Sequence, residues 1–298
     1  MNTRGSTWQR RLWIIVGAVV VSVSGAFLMR SLDAPADPWD DLVLPSGESA
    51  SEDAQRMFAR ASEQMQRGDF QGAVETYEAY LDRISEIPPE QLSSYFGDLG
   101  LAHLYQGRAA ESAGDKETAR RHYERAAFMF EQASSTAMFT VIRAVADYYH
   151  VISSYYADDF ERTRDVGEAF LKSRPEAAVA AELLPEDVEA VVKEILSVSY
   201  YQLAESETQN AALARTLREN AMRYAEEAIR EAPGRVIQPY YFTGMAAWER
   251  GEADLARERL ERFLARMEEI PESRWDGDDR ASVNAAREIV RRLRGVAQ

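Results

Sequence analysis

Apolar residues recur at three- and four-residue intervals along most of this chain, and no stretch alternates as a strand would. From Glu52 onward helical periods dominate and turn signals are sparse. Ser49-x-x-Glu52 has the form of a capping box and opens the first helix. One phrase then occurs twice. QRGDFQGAVETYEAYLDRISEIP, Gln66 to Pro88, returns as ERGEADLARERLERFLARMEEIP, Glu249 to Pro271, at a constant offset. Gly68 maps onto Gly251, Ala73 onto Ala256, Tyr77 onto Leu260, Tyr80 onto Phe263 and Ile87-Pro88 onto Ile270-Pro271. A repeated helical hairpin implies a stack in which neighbouring units bury each other's apolar faces.

The repeat resembles the tetratricopeptide repeat, a pair of antiparallel helices in about 34 residues. In the last unit Tyr240, Gly244, Ala247, Gly251, Ala256, Leu260 and Phe263 follow the family spacing. In the first, Ala61, Gly68, Ala73, Tyr77 and Tyr80 do so, with Gln64 in place of the usual aromatic residue. The middle departs from the pattern. Ala119, Tyr123 and Ala126 fit a second helix, but the helix before it, with Leu101, Ala102 and Tyr105, is about five residues too long for the repeat. Pro175 falls where the family has its proline, while Gly167 occupies an aromatic position. Leu196, Ser197 and Tyr200, and then Ala221, Ala225, Ala228 and Pro233, fit a fourth unit around an insertion at Glu205–Leu213. The resemblance implies an all-α, right-handed α-solenoid of five hairpins, three of them irregular. Residues 51–277 would form the repeats. Residues 278–298, with Val283, Ala286, Ile289, Val290 and Leu293 on one face, would form an amphipathic helix that caps the stack.

The N-terminus has a different pattern. Leu12 to Met29 holds 18 residues without a charge, about 27 Å of helix. Arg4, Arg10 and Arg11 precede it, and Asp33, Asp37, Asp40 and Asp41 follow. The expectation is a cytoplasmic segment at 1–11, a single transmembrane signal anchor at 12–29 and a flexible linker at 30–50. The repeats would then be extracytoplasmic, in the periplasm of a bacterium. A cleaved signal peptide ending near Ser22-Val-Ser24 is the alternative, and a reversed topology also stays open. Ala18, Ser22, Gly25 and Ala26 make a small-residue stripe that would let another membrane helix approach.

Composition narrows the chemistry. A formal charge of −15 argues against a nucleic-acid partner. The chain has no cysteine and three histidines, His103, His122 and His150, without metal-motif spacing. Asp158-Asp159 reads as a turn. Trp275-Asp-Gly-Asp-Asp279 lacks the glutamate of a calcium loop, since Arg287 stands at that position, and Asp278 or Asp279 reads as a helix cap. No phosphate-cradling glycine loop, nucleophile elbow or zinc motif is found. The expectation is therefore no catalytic residue, metal or cofactor and no small-molecule substrate.

The repeat family works through the inner groove formed by the first helices, and the resemblance places Gln238, Tyr241, Met245 and Trp248 there. Gln55, Phe58, Ser62 and Met65 would contribute from the first unit, and Tyr148, Tyr155 and Tyr201 from the middle. Two functions from different classes fit. One is a membrane-anchored adaptor or scaffold that holds a peptide or helix of an envelope protein in the groove. The other is a fixed structural subunit of an inner-membrane complex, docked through its outer face and its transmembrane stripe.

Overall fold

A computed structural model describes residues 52–173, 184–272, 275 and 277–296. Among the described residues there is no strand, and helices pack consecutively in pairs. No described helix is long and apolar enough to cross a membrane. The expected anchor at 12–29, its stripe Ala18, Ser22, Gly25 and Ala26, and the linker at 30–50 lie outside the described residues. The chain divides into two compact units between Glu186 and Asp187.

The first unit carries α1 (Glu52–Gln66), α2 (Phe70–Glu78), α3 (Pro89–Ser112), α4 (Lys116–Thr136), α5 (Thr140–Tyr156) and α6 (Phe160–Ser173). The second carries α7 (Val188–Ser206), α8 (Ala211–Glu231), α9 (Gln238–Glu249), α10 (Ala253–Glu268) and α11 (Gly277–Val296). The described helices thus form five hairpins and a final helix. At 24 residues, α3 is the over-long helix of the sequence reading.

Four hairpins close with the same turn. A helix must stop and its successor start within a few residues, without orphaning carbonyls at one end or N–H groups at the other. The chain does this with one left-handed residue followed by an acidic one. Gly68, Gly114 and Gly251 have φ of 73°, 83° and 75°, and Asp158 takes the same place at 59°. The amide of the next residue then reaches back five positions: Asp69 N to Gln64 O (2.8 Å), Asp115 N to Ala110 O (2.9 Å), Asp159 N to Ser154 O (3.0 Å) and Glu252 N to Ala247 O (3.0 Å). This six-to-one bond is the Schellman closure. The aspartates then cap the following helix, accepting from Gly72 N, Thr118 N and Arg162 N at 3.0–3.1 Å. Glu252 is one carbon longer and instead pairs with Arg250. The fourth hairpin differs: Glu207 accepts from Gln209 N and Asn210 N, and Asn210 caps α8 through Leu213 N.

The repeated phrase folds in two ways after this turn. In the second unit it is one continuous helix, α10. In the first it breaks at Ala79, and Leu81–Glu86 form a 3₁₀ turn in which Arg83 is non-helical. Gly72, Val74 and Thr76 stand where α10 has Leu255, Arg257 and Arg259, and each is the weaker helix former. The broken turn is held by Arg83, which bonds Glu86 and Asp53 and lies 4.7 Å from the Tyr80 ring centroid. Both versions end by burying the isoleucine, Ile87 and Ile270.

Aromatic pairs fill the first unit. Phe58, Tyr77 and Tyr95 meet edge to face at 5.7–6.2 Å, Phe130 stacks on Tyr149 at 5.3 Å and Tyr123 on Tyr156 at 5.0 Å. In the second unit α7 is buried almost all round from Ala190 to Tyr200, as a central helix must be. There Gly244 lets α9 close on α10: a Cβ would fall 2.8 Å from the Leu260 side chain. Val283, Ala286, Ile289, Val290 and Leu293 of α11 are buried, and the helix packs mainly on α10. Asp279 lies inside its first turn, buried, rather than at its N-cap.

Asp158 is the only described non-glycine residue with positive φ, a conformation that costs an ordinary residue about 1 kcal/mol. Asp158→Gly is expected to stabilise the first unit by about 0.5–1 kcal/mol, measured by urea denaturation. Gly114→Ala, at the equivalent place, is expected to destabilise it by a similar amount.

Candidate functional site

Three helices of the second unit enclose a pocket of about 160 Å³. Its wall is Tyr201 from α7, Arg218, Ala221 and Met222 from α8, and Tyr241, Phe242, Met245, Ala246 and Glu249 from α9. Ligand and cofactor pockets usually run from about 300 Å³ upward, so this one suits a single inserted side chain. Tyr201 stacks on Phe242 at 5.0 Å, and Tyr241 meets Phe242 edge-on at 6.1 Å and Phe263 at 5.0 Å. The rings are therefore locked by packing. Met222 and Met245 add a polarizable lining that moulds to different shapes.

Helix α9 brings most of these groups, and its position is set by an unusual cap. Its N-cap residue, Ile237, has no side-chain acceptor, and Pro239 in the first turn has no N–H. Glu194 of α7 supplies the missing acceptor, one carboxylate oxygen taking the amides of Ile237 and Gln238 at 3.0 Å each. Glu194 is 2% exposed. Burial pushes its carboxyl from the ordinary 4.5 up to about 7, against the two amide bonds and the Arg266 charge, which favour ionisation. Next to it on α7, buried Lys193 is satisfied by Glu231, Glu227 and Glu189.

The mouth of the pocket is charged. Arg218 bonds Glu205 at 2.9 Å. Partial burial raises the Glu249 carboxyl above its usual range; Arg218 opposes this, and the Glu205 charge adds to it. Two carboxylates thus lie in the field of Arg218, and the Arg250 charge acts on Glu249 as well. The Tyr201 hydroxyl is buried with no hydrogen-bond partner among the described residues, and burial, reinforced by Glu205, pushes it above its ordinary pKa.

Of the residues read as groove-lining in the sequence, the structure brings Tyr201, Tyr241 and Met245 together here. Gln238 is fully buried at the start of α9 and Trp248 half-buried near its end, and neither lines the pocket. In the first unit four candidates, Phe58, Met65, Tyr148 and Tyr155, pack against neighbouring side chains. Phe58 is half-buried against Tyr77 and Tyr95. Met65 packs on Ala73, Val74 and Ala102, while Gln55 is exposed and Ser62 half-buried. Tyr148 and Tyr155 are 1% and 2% exposed, their rings against Tyr149 and Phe170 and against Tyr156 and Phe160.

Phe242, Met222, Arg218 and Glu249 were not legible as site residues. Phe242 and Glu249 do lie with Met245 at i, i+3 and i+7 on α9, a periodicity that could have pointed to them. The sequence also gave no sign that His103 and His122 meet, with Nδ1 atoms 3.1 Å apart. That bond needs one ring to donate and the other to accept. Burial, with the His122 and Arg125 charges, drives His103 down to about 3, so it stays neutral. Its other nitrogen is 3.5 Å from Glu78. Among the described residues no group of three or more His, Asp and Glu is placed to hold a metal ion.

No known protein family matches the chain, and no curated protein does.

The raised Glu194 pKa has a direction in pH. Between 4.5 and about 7 the folded chain holds a proton that the unfolded chain has lost. The stability this gives is complete below about 4.5 and is lost as pH rises through about 7. Glu194→Gln keeps an acceptor for both amides without the charge. It is expected to match the native chain near pH 5 and to exceed it near pH 8 by on the order of 2 kcal/mol, read from urea denaturation at each pH.

Proposed function

We propose that this chain is a membrane-anchored tetratricopeptide-like adaptor, with a right-handed stack of hairpins, that captures an apolar side chain of a partner protein in the second unit. The pocket between α7, α8 and α9 carries this reading. It is lined by aromatic and methionine side chains, and its volume matches one leucine, methionine or phenylalanine. Rigid aromatic walls lose little entropy on binding, which is how a few anchor residues come to dominate an interface. The Glu205 and Glu249 carboxylates at the mouth favour a partner with a basic residue beside the anchor.

The site offers binding rather than chemistry. Its charged groups, Arg218 with its partner Glu205 and Glu249, stand at the rim of an apolar cleft, and burial keeps the Tyr201 and Tyr241 hydroxyls on its wall protonated. The charge-free run Leu12–Met29 and the arginines before it support an inner-membrane anchor with the hairpins on the extracytoplasmic side. An anchor of this kind raises the effective concentration of partners confined to the same surface. Envelope proteins are the class it would meet.

The test is a displayed peptide library panned on the purified chain. Enriched peptides should share one large apolar residue flanked by Lys or Arg. Met222→Glu, at a half-buried wall position, should weaken their binding more than tenfold with the helical circular dichroism unchanged. Equal binding by native and Met222→Glu chains would rule the pocket out. A C-terminal alkaline phosphatase fusion should be active in cells, and an inactive one would reverse the topology.

A further inference from the structure

A second groove, independent of the pocket, runs between α10 and α11 and encloses about 560 Å³. Glu261, Leu264, Ala265 and Glu268 form its α10 wall, and Arg287, Val290, Arg291 and Arg294 its α11 wall. Both sets fall at i, i+3, i+4 and i+7, so each is a single stripe along its helix. One wall is acidic and the other basic, with small or apolar residues between. Arg294 bonds Glu261 across the groove at 2.7 Å, and Arg291 bonds Glu288. Val290 is buried at the base of the groove, while the charged residues stay open to solvent, with the Arg291 side chain 76% and the Arg294 side chain 68% exposed.

This face can meet a second copy of itself in two two-fold arrangements. With the axis across the helices, α10 lies on α10 and α11 on α11, which opposes like charges. With the axis along the groove, each α10 lies on the other copy's α11, glutamate stripe on arginine stripe. Only the second brings opposite signs together, and a two-fold contact must be self-complementary in this way. We propose that the α10–α11 face is a homodimer interface, two copies packing in that second arrangement with charge selecting the register.

Helices of 16 and 20 residues are about 24 and 30 Å long and about 10 Å apart. The face they make offers roughly 500 Å² per copy, below the roughly 800 Å² of a standard stable interface. The dimer is therefore weak and reversible, and salt weakens it further.

Sedimentation velocity on the full chain in detergent tests this with two variants whose folding is checked by circular dichroism. Arg287→Glu/Arg291→Glu makes both stripes acidic, and Glu261→Arg/Glu268→Arg makes both basic. The native chain is expected to dimerise with a dissociation constant on the order of 10 μM that rises with salt. Each variant alone should dissociate at least tenfold more readily, and an equimolar mixture of the two should form a heterodimer. A native chain that stays monomeric at about 100 μM, a dimer unmoved by either variant, or folded variants that fail to pair when mixed would each overturn the interface. None of these results depends on the pocket.

Discussion

Every helix end in this chain faces the same problem: backbone amides and carbonyls that lose their intrahelical partners must find others within two or three residues. The hairpins exist because the sequence solves it cheaply. A left-handed residue lets the next amide reach back to a carbonyl five residues earlier, and that same acidic residue receives an amide of the following helix. Four hairpins use the reach-back, three of them with the side-chain cap as well, and the close packing of helix on helix follows from the sharp reversal it imposes. Where it is replaced, between α7 and α8, Glu207 and Asn210 do the same work with side-chain oxygens.

The same constraint reaches the candidate site. Helix α9 has isoleucine at its N-cap and proline in its first turn and cannot cap itself, so a carboxylate from α7 does so from inside the core. Holding Glu194 there costs desolvation, which its raised pKa records. In return α9 is tied to α7, and Tyr201 and Phe242 on those two helices stack. The pocket's shape depends on that tie. A capping residue within α9 would satisfy the amides equally well but would leave the spacing of the two helices to apolar packing alone.

Much of the fold was readable because its determinants are local. Gly68, Gly114 and Gly251 announce turns by chemistry that needs no neighbour, and helical periods mark which faces are buried. Asp158-Asp159 was readable as a turn, though aspartate in the left-handed conformation is a weaker signal than glycine. The groove residues were less legible. Tyr148 and Tyr155 have the period and character of a binding stripe, but long helices pack on both flanks of α5 and bury them. Tyr241 lies on the pocket wall while its ring also packs in the core, a dual position no spacing rule distinguishes.

The sequence alone determined that the body is helical, that hairpins repeat, and where four of them turn, because backbone propensity and capping act over fewer than six residues. Only the tertiary structure decided which residues share a site. Met222 and Phe242 come from separate helices, Glu194 meets Ile237 across 43 positions, and His103 meets His122 across 19. The repeated phrase makes the point within one chain. Its two copies share their turn and their terminal isoleucine, yet one is a continuous helix and the other breaks around Arg83. The Asp53 carboxylate that helps hold the break comes from a different helix. Weaker helix formers in the first copy permit the break, and the Arg83–Asp53 contact between segments distant in sequence helps to hold it.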